Sequence, residues 1–139
     1  MKYLLDTCVI SETRRKTPDP RLLSWLSKVD LSELYLSVVT VGELRRGACS
    51  AKDVVQRVGL MSWVDRVVDP WFAGRVVEFG LETAEAWGSL FGECVLRGRT
   101  PSVCDSMIAA TALQNDLVLV TRNVADFQFD GLRVINPFE

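Results

Sequence analysis

The sequence predicts a single α/β domain over residues 1–139, with a central parallel β-sheet of about four to five strands and helices on both faces. Short apolar runs alternate along the chain with segments whose apolar residues recur at helical spacing. Hydrophobic residues make up 48% of the 139 residues, which is enough for one buried core. Strands that alternate with helices favour a parallel sheet, so the strand ends and the following helix starts meet at one edge.

Five segments have the composition of strands. The first is the apolar run YLL, typical of a buried parallel strand, and Asp6 follows it directly. Val9 and Ile10 resume the apolar pattern, and Ser11 and Glu12 indicate the start of a helix. The predicted strands are residues 3–5, 34–39, 75–79, 117–120 and 133–135.

Helices are predicted from caps and apolar stripes. Asp19 and Pro20 place an acid at the N-cap and a proline at the first helical position. Thr40 and Glu43 have capping-box spacing at the start of a later helix. The apolar stripes of the first two long helices are Leu22, Trp25, Leu26 and Val29, and then Val54, Val58, Met61, Val64 and Val68.

The second half of the chain continues the alternation. Asp69 and Pro70 are expected to end or bend the helix before them. A helix from Leu81 carries two apolar stripes, which predict that it is buried or lies in a subunit contact. Residues 97–101 read as a loop, a helix runs from Ser102 to about Asn115, and residues 123–127 form a helical turn.

Composition excludes several classes of site. Histidine is absent, which removes histidine-based acid–base catalysis, Ser-His-Asp and Cys-His nucleophiles and most zinc sites. The four cysteines are scattered without a CxxC pair. A net charge of −2 and a pI near 5.2 are not those of a general nucleic-acid binder. No secretory signal or membrane span is visible, so a cytoplasmic location without membrane contact is expected.

Four carboxylates fall where a parallel sheet gathers side chains. Asp6 follows a strand, Glu43 and Asp126 lie near the starts of helices that follow strands, and Asp105 lies on the apolar face of its helix. Each also has a local alternative. Asp6 is a possible turn cap, and the other three have capping-box partners at Thr40, Ser102 and Asn123.

A cluster of four acids needs a counter-charge. Two carboxylates about 4 Å apart repel by roughly 4 kcal/mol at an effective dielectric of 20. No lysine follows Lys52, so a hard divalent cation bound to the acids is the natural counter-ion, with pairing to Arg122 as the alternative. Two such cations can clamp the attacking and leaving oxygens of a phosphodiester. Thr121 and Asn123 are candidates to support the acids.

Five fragments in this order resemble the PIN-domain ribonucleases, in particular the VapC and FitB-like toxins of type II toxin–antitoxin pairs. They are LLDTCVISE, TPDPRLLSWL, SVVTVGELRRG, CDSMIAATAL and LVTRNVADF. The resemblance implies a PIN-like fold and RNA cleavage that depends on Mg²⁺ or Mn²⁺. It places the acidic quartet on Asp6, Glu43, Asp105 and Asp126, with a supporting hydroxyl at Thr121.

The resemblance also implies partners. Toxins of this kind are usually homodimers that a small antitoxin blocks, and the complex binds its operator DNA through the antitoxin. One position departs from the pattern, because Cys8 stands where the family often has Asn two residues after the first acid. The candidate RNA phosphate contacts are Arg45, Arg46, Arg97, Arg99 and Arg122, each with ordinary solvated surface as its alternative.

Three functions compete at this stage. The first is a metal-dependent endoribonuclease that is the toxin of a toxin–antitoxin pair. The second is a catalytically weak PIN-like protein that acts through a complex with antitoxin and DNA, for which Cys8 is the sequence hint. The third, a phosphate-accepting receiver domain, needs a lysine after a late strand, and none follows Lys52.

Overall fold

The computed structural model, which describes residues 1–139, contains one five-stranded sheet in the order β3-β2-β1-β4-β5. Every neighbouring pair of strands is parallel. The predicted parallel sheet is therefore confirmed. The strands are β1 Tyr3–Leu5, β2 Leu34–Ser37, β3 Val76–Val77, β4 Val118–Val120 and β5 Val134–Ile135.

Helices cover both faces of this sheet, as predicted. The helices are α1 Thr7–Thr13, α2 Pro20–Lys28, α3 Val38–Cys49, α4 Val54–Trp63, α5 Asp69–Trp71, α6 Leu81–Leu96 and α7 Val103–Gln114. Neighbouring strand residues point to opposite faces, so Leu5 packs with α1, α2 and α3 while Leu4 packs with α7. No helix combines the length and the apolar character that crossing a bilayer requires.

The chain reverses its direction of winding beside β1. From β1 it runs outward through β2 to β3, and it then returns on the other side of β1 as β4 and β5. The carboxyl ends of β1 and β4 therefore flank the topological switch point of the sheet. Open α/β sheets bind their ligands in the crevice outside such a point.

Two helix starts lie earlier than predicted. α1 begins at Thr7 and not at Ser11, because the Asp6 carboxylate caps it by accepting the Thr7 N–H at 2.8 Å. The second strand ends at Ser37 and not at residue 39, because the Ser37 hydroxyl caps α3 and accepts the Val39 N–H at 3.0 Å. In each case a polar side chain at the strand end takes over an N–H that would otherwise have no partner.

The prediction for the middle of the chain was partly wrong. Val54 and Val58 are 59% and 61% exposed, and only Val64 and Val68 of that stripe are fully buried. Residues Val64–Val68 form a wider π-helical turn, which joins α4 to α5 and places Pro70 in the first turn of α5, so the helix is not ended there. In α6 only Thr83 is fully buried within the chain, so its two apolar stripes do not bury the helix.

The predicted caps of α2 and α7 are confirmed. Asp19 caps α2 by accepting the Arg21 N–H at 2.9 Å, with Pro20 in the first position. On α7, Ile108 and Ala109 are fully buried against the sheet, and Ser102 is the N-cap. These residues bring the start of α7, which carries Asp105, to the carboxyl edge of the sheet.

A guanidinium group joins the end of α5 to the start of β2. Arg75 donates hydrogen bonds to the carbonyl oxygens of Leu31, Leu34 and Trp71, the second at 2.6 Å. Its neighbours Val76 and Val77 pair with β2 as the edge strand. Arg75 therefore anchors one side of the sheet.

Replacing this anchor should destabilise the fold. We expect Arg75→Met to lower the free energy of unfolding by about 2–3 kcal/mol, because it removes charged hydrogen bonds and leaves backbone carbonyls without partners. Urea unfolding followed by circular dichroism measures the change. Arg66→Met, at an exposed arginine of the neighbouring turn, is the control and should change stability by less than about 0.5 kcal/mol. Equal stabilities of the two variants would contradict the anchoring role.

Candidate active site

Asp6 lies at the carboxyl end of β1 and is 95% shielded from solvent, with 5% of its surface exposed. Its Oδ1 accepts the Thr7 N–H at 2.8 Å, and its Oδ2 accepts the Thr121 hydroxyl at 2.7 Å. The Asp6 N–H donates to the Val120 carbonyl at 2.9 Å. Asp6 is thus a helix cap, as its local alternative proposed, and it is also fixed at the switch point between β1 and β4.

Glu43 reaches the same edge from the second turn of α3. Its Oε1 accepts the Thr7 hydroxyl at 2.7 Å, and its Oε2 lies 3.8 Å from the Arg46 guanidinium. The capping-box alternative for Glu43 is wrong, since Ser37 caps α3 and Thr40 is fully buried within the helix. The Glu43 carboxylate is therefore directed toward the end of β1 and not back to the start of its own helix.

Asp105 and Asp126 stand on the other side of the switch point. Asp105 is in the first turn of α7, half-buried, and its backbone N–H donates to the Ser102 hydroxyl at 3.3 Å. Asp126 is exposed in the short 3₁₀ turn Val124–Phe127, whose N-cap Asn123 makes no side-chain capping bond. The capping alternative is therefore correct in that Ser102 caps the Asp105 N–H, but Asn123 provides no such cap for Asp126.

Electrostatics show that the four acids share one region. The pKa of Asp105 is raised from 3.8 to about 6, first because burial penalises its charged form and then because of the negative charges of Asp6, Asp126 and Glu43. A hydrogen bond from Ser102 opposes the shift. Burial alone raises the pKa of a carboxyl group, and the three negative charges add to the shift, which indicates that they lie near enough to repel the Asp105 carboxylate.

The counter-charge is not supplied by the protein. Arg46 is the one basic side chain within 4 Å of any of the four acids, and it pairs with Glu43 alone. No three acidic or thiol side chains are already gathered closely enough to hold a metal ion. None of the three main surface cavities, of about 270, 580 and 610 Å³, is lined by the acids. The site is an open, negatively charged edge.

The pattern of the PIN domain matches residues 3–128. The chain belongs to the PIN-domain family.

Curated relatives match this PIN domain along almost its whole length. The plasmid stability protein StbB of Pseudomonas syringae pv. tomato is 37% identical over 136 residues, covering 98% of both chains. The VapC ribonuclease Y4jK of Sinorhizobium fredii is 35% identical over 98% of this chain and 97% of its own. Toxin FitB of Neisseria gonorrhoeae is 34% identical over 97% of each.

Solved structures agree with the sequence relatives. The crystal structure of FitAcB from Neisseria gonorrhoeae superposes with a TM-score of 0.90 at 34% identity and covers 99% of both chains. The structure of FitAB bound to an IR36 DNA fragment superposes with a TM-score of 0.89 at 32% identity, covering 99% of this chain and 96% of the other. The resemblance to PIN-domain VapC and FitB proteins is therefore confirmed.

Two of the candidate RNA contacts pair with acids inside this PIN domain. Arg45 lies 2.7 Å from the Asp65 carboxylate, and Arg97 lies 3.1 Å from that of Asp130. Each acid raises the pKa of its arginine through a hydrogen bond. Both arginines are part of surface ion pairs between elements, and neither contacts the four acids.

Two other candidate RNA contacts, Arg99 and Arg46, differ in how many contacts their side chains make within the protein. Arg99 donates to the Gln128 carbonyl and stacks on Phe129, with 4.7 Å from the guanidinium carbon to the ring centroid. Arg46 has 71% of its side chain exposed and only the long contact to Glu43. Of the candidate phosphate contacts, Arg46 is therefore the one that both faces solvent and adjoins the acids.

Arg122 belongs to a structural cluster that sequence reasoning missed. It pairs with Glu12 at 3.2 Å and stacks on Phe138, 3.9 Å from its ring centroid. Glu12 is 4% exposed and also accepts the Asp19 N–H at 2.9 Å and Arg15 at 3.4 Å. Burial opposes ionisation of Glu12, but these donors outweigh it and lower its pKa. The alternative in which Arg122 neutralises the acidic quartet is not observed.

Of the predicted supporting residues, Thr121 contacts Asp6 directly and Asn123 contacts Thr121. Thr121 is fully buried, donates to Asp6 and accepts the Asn123 N–H at 3.0 Å. Cys8 donates to Asp6 Oδ2 at 3.4 Å and lies 3.6 Å from the Thr121 hydroxyl. Burial and the charge of Asp6 raise the pKa of the Cys8 thiol, so it stays a protonated donor. Sequence reasoning missed Thr7, whose signal was a hydroxyl directly after a strand-terminal acid.

The raised pKa of Asp105 predicts how stability depends on pH. The folded chain holds the Asp105 proton more tightly than the unfolded chain, so this group's stabilising effect is complete below about pH 4 and is lost as pH rises through about 6. In EDTA at pH 7.5, Asp105→Asn should therefore be more stable than wild type, and the difference should shrink toward pH 4. Thermal unfolding across this range tests it, with Glu85→Gln as the control for removing one exposed charge. A difference that does not vary with pH would rule out this account.

Proposed function

We propose that this PIN domain is a Mg²⁺- or Mn²⁺-dependent endoribonuclease that acts in the cytoplasm as the toxin of a toxin–antitoxin pair. One observation carries the proposal. Four carboxylates from separate elements lie toward the carboxyl edge of the sheet, where burial and then the charges of the other three acids raise the pKa of Asp105 to about 6. The names of the relatives, a VapC ribonuclease and a FitB toxin, support the reaction class.

The side chains present suit a hard divalent cation. Carboxylate and hydroxyl oxygens are the donors that Mg²⁺ and Mn²⁺ prefer, the chain has no histidine, and the one basic group beside the acids is Arg46, 3.8 Å from Glu43. The acids are not gathered around one point, as expected when like charges repel without a cation between them. Asp6, Glu43, Asp105 and Asp126 are the residues that would hold it, supported by Thr121 and Asn123.

A bound cation would supply Lewis-acid chemistry, activating water for attack on phosphorus and stabilising the leaving oxygen. The protein's own residues hold the acids in place for it. Asp6 is fixed from both sides by Thr7 and Thr121, and Glu43 is fixed by Thr7. Asp126 is exposed and makes no side-chain hydrogen bond, so its carboxylate is free to turn toward an arriving cation and RNA backbone. Arg46 is placed to contact a neighbouring phosphate.

The proposal extends to partners. The solved relatives are FitAcB and FitAB complexes, one of them bound to DNA. We infer a homodimer of this chain, a cognate antitoxin that covers the acidic edge, and binding of the complex to operator DNA through that antitoxin. A neutralising protein with basic residues would complement the uncompensated charge of the four acids.

The nuclease assay is the direct test. The chain, purified free of any partner, should cleave RNA with Mg²⁺ or Mn²⁺ and not with EDTA. Asp6→Asn and Asp105→Asn should each lower the rate by more than about 100-fold, since losing a ligand exceeds the usual effect of losing a supporting residue. Glu85→Gln is the matched control at an exposed acid outside the site and should cleave like wild type. Single-stranded DNA serves as the competing substrate.

Two results of this assay would contradict the nuclease proposal. If RNA survives at high enzyme concentration, or if the two Asn variants cleave like wild type, the chain is not this kind of nuclease. No metal binding by calorimetry together with tight binding of an antitoxin would then support the alternative, a partner-binding subunit with weak catalysis. Rescue of growth by co-expressing an adjacent short reading frame tests the toxin–antitoxin pairing.

Cys8 allows a second test of the same site. Its thiol is a weak donor to Asp6, 3.4 Å from Oδ2, whereas an Asn amide is a stronger one. We expect Cys8→Asn to preserve or raise the cleavage rate, measured at saturating Mn²⁺. Cys49→Asn, at an exposed cysteine away from the acids, is the matched control. Loss of activity in Cys8→Asn alone would contradict the role assigned to this position.

A further inference from the structure

Thr7 contacts two of the four acids at once. Its backbone N–H donates to Asp6 Oδ1 at 2.8 Å, and its side-chain hydroxyl donates to Glu43 Oε1 at 2.7 Å. Asp6 ends β1 and Glu43 lies on α3, so the two carboxylates come from separate parts of the fold. Thr7 is the one residue that donates a hydrogen bond to both.

We propose that Thr7 is a positioning residue that sets the spacing of Asp6 and Glu43 for a divalent cation, an inference that rests on the proposed function. The contact to Asp6 is made by the backbone and is available to any residue that begins α1. The contact to Glu43 requires a side-chain hydroxyl at this position. Thr7, the first residue of α1, therefore links two predicted metal ligands, Asp6 and Glu43.

The surroundings of the Thr7 hydroxyl direct it to Glu43. A β-branched side chain has few χ1 choices in a helix, so the hydroxyl direction is restricted. The other acceptor nearby is the hydroxyl of Thr40, at 3.3 Å, which is longer than the 2.7 Å to Glu43. A hydroxyl has one proton to donate, and the shorter, charge-assisted bond to the carboxylate is the stronger of the two.

The two hydrogen bonds from Thr7 leave the Asp6 and Glu43 carboxylates able to bind a cation. A carboxylate offers about four lone-pair sites, and Thr7 occupies one on each acid. Asp6 Oδ2 is held by Thr121, while Glu43 Oε2 has only the 3.8 Å contact to Arg46. Asp6 and Glu43 thus form the fixed half of the site, and the more open Asp105 and Asp126 form the adjustable half.

Two substitutions separate the hydroxyl from the shape of the residue. Thr7→Val keeps the volume and the backbone N–H but removes the donor, and Thr7→Ser keeps the donor. We expect Thr7→Val to weaken Mn²⁺ binding, measured by calorimetry without RNA, by about 10- to 100-fold, the usual effect of losing a residue that orients a ligand. Thr7→Ser should remain close to wild type. Thr13→Val is the matched control, since its hydroxyl on the same helix contacts only the Ile10 carbonyl.

Kinetics give a second, independent readout. At a Mn²⁺ concentration that saturates wild type, Thr7→Val should lose kcat with little change in the KM for RNA, and additional Mn²⁺ should restore much of the rate. A purely structural role would instead lower stability in urea without a selective loss of Mn²⁺ affinity. Thr7→Ala serves as the second variant if Thr7→Val does not fold.

The outcomes separate the two proposals. If wild type binds Mn²⁺ and cleaves RNA and Thr7→Val does both equally well, the positioning role is overturned and the proposed function stands. If wild type binds Mn²⁺ without cleaving RNA, the nuclease proposal fails while the binding comparison still decides the role of Thr7. If wild type binds no Mn²⁺, both fail.

Discussion

The site depends on two of the hydrogen bonds that the Asp6 carboxylate accepts, those from Thr7 and Thr121. Through Oδ1 the carboxylate begins α1 at Thr7, and through Oδ2 it joins the end of β1 to Thr121 at the end of β4. These two strands flank the point where the chain reverses its winding. One buried carboxylate therefore starts a helix and connects the two halves of the sheet at its switch point. The hydrogen bonds that give Asp6 its structural role also hold its carboxylate in place for its proposed chemical role.

A second constraint is the uneven distribution of charge. The chain carries 16 basic residues, so cations are not scarce. Arg45, Arg97 and Arg122 nevertheless pair with acids elsewhere, and the four acids of the site retain only the long contact between Arg46 and Glu43. Burial and then the charges of Asp6, Asp126 and Glu43 raise the pKa of Asp105. A cation bound there, as proposed, would relieve the repulsion between the acids and so couple metal binding to folding.

Much of the fold was readable because its signals are local. An apolar run followed by an acid predicts a buried strand, and Asp19 with Pro20 predicts a helix start, without reference to distant residues. The errors arose where two local signals competed. Thr40 has capping-box spacing to Glu43, but the strand ends earlier and the Ser37 hydroxyl caps α3. Exposed Val54 was misread because periodicity does not reveal which face of a helix meets the core.

By itself, the sequence determined the strand–helix alternation, the absence of histidine chemistry and the identity of the four acids, because each of these depends on residue type and local spacing. Only the tertiary structure decided which donors those acids meet. Thr7 and Glu43 are 36 residues apart, and Arg122 pairs with Glu12 across 110 residues. Such contacts depend on how α1, α3 and β4 pack on the sheet, which no local pattern encodes. Thr121 was predicted from the sequence to support the acids, whereas the bond from Thr7 to Glu43 was visible only in the fold.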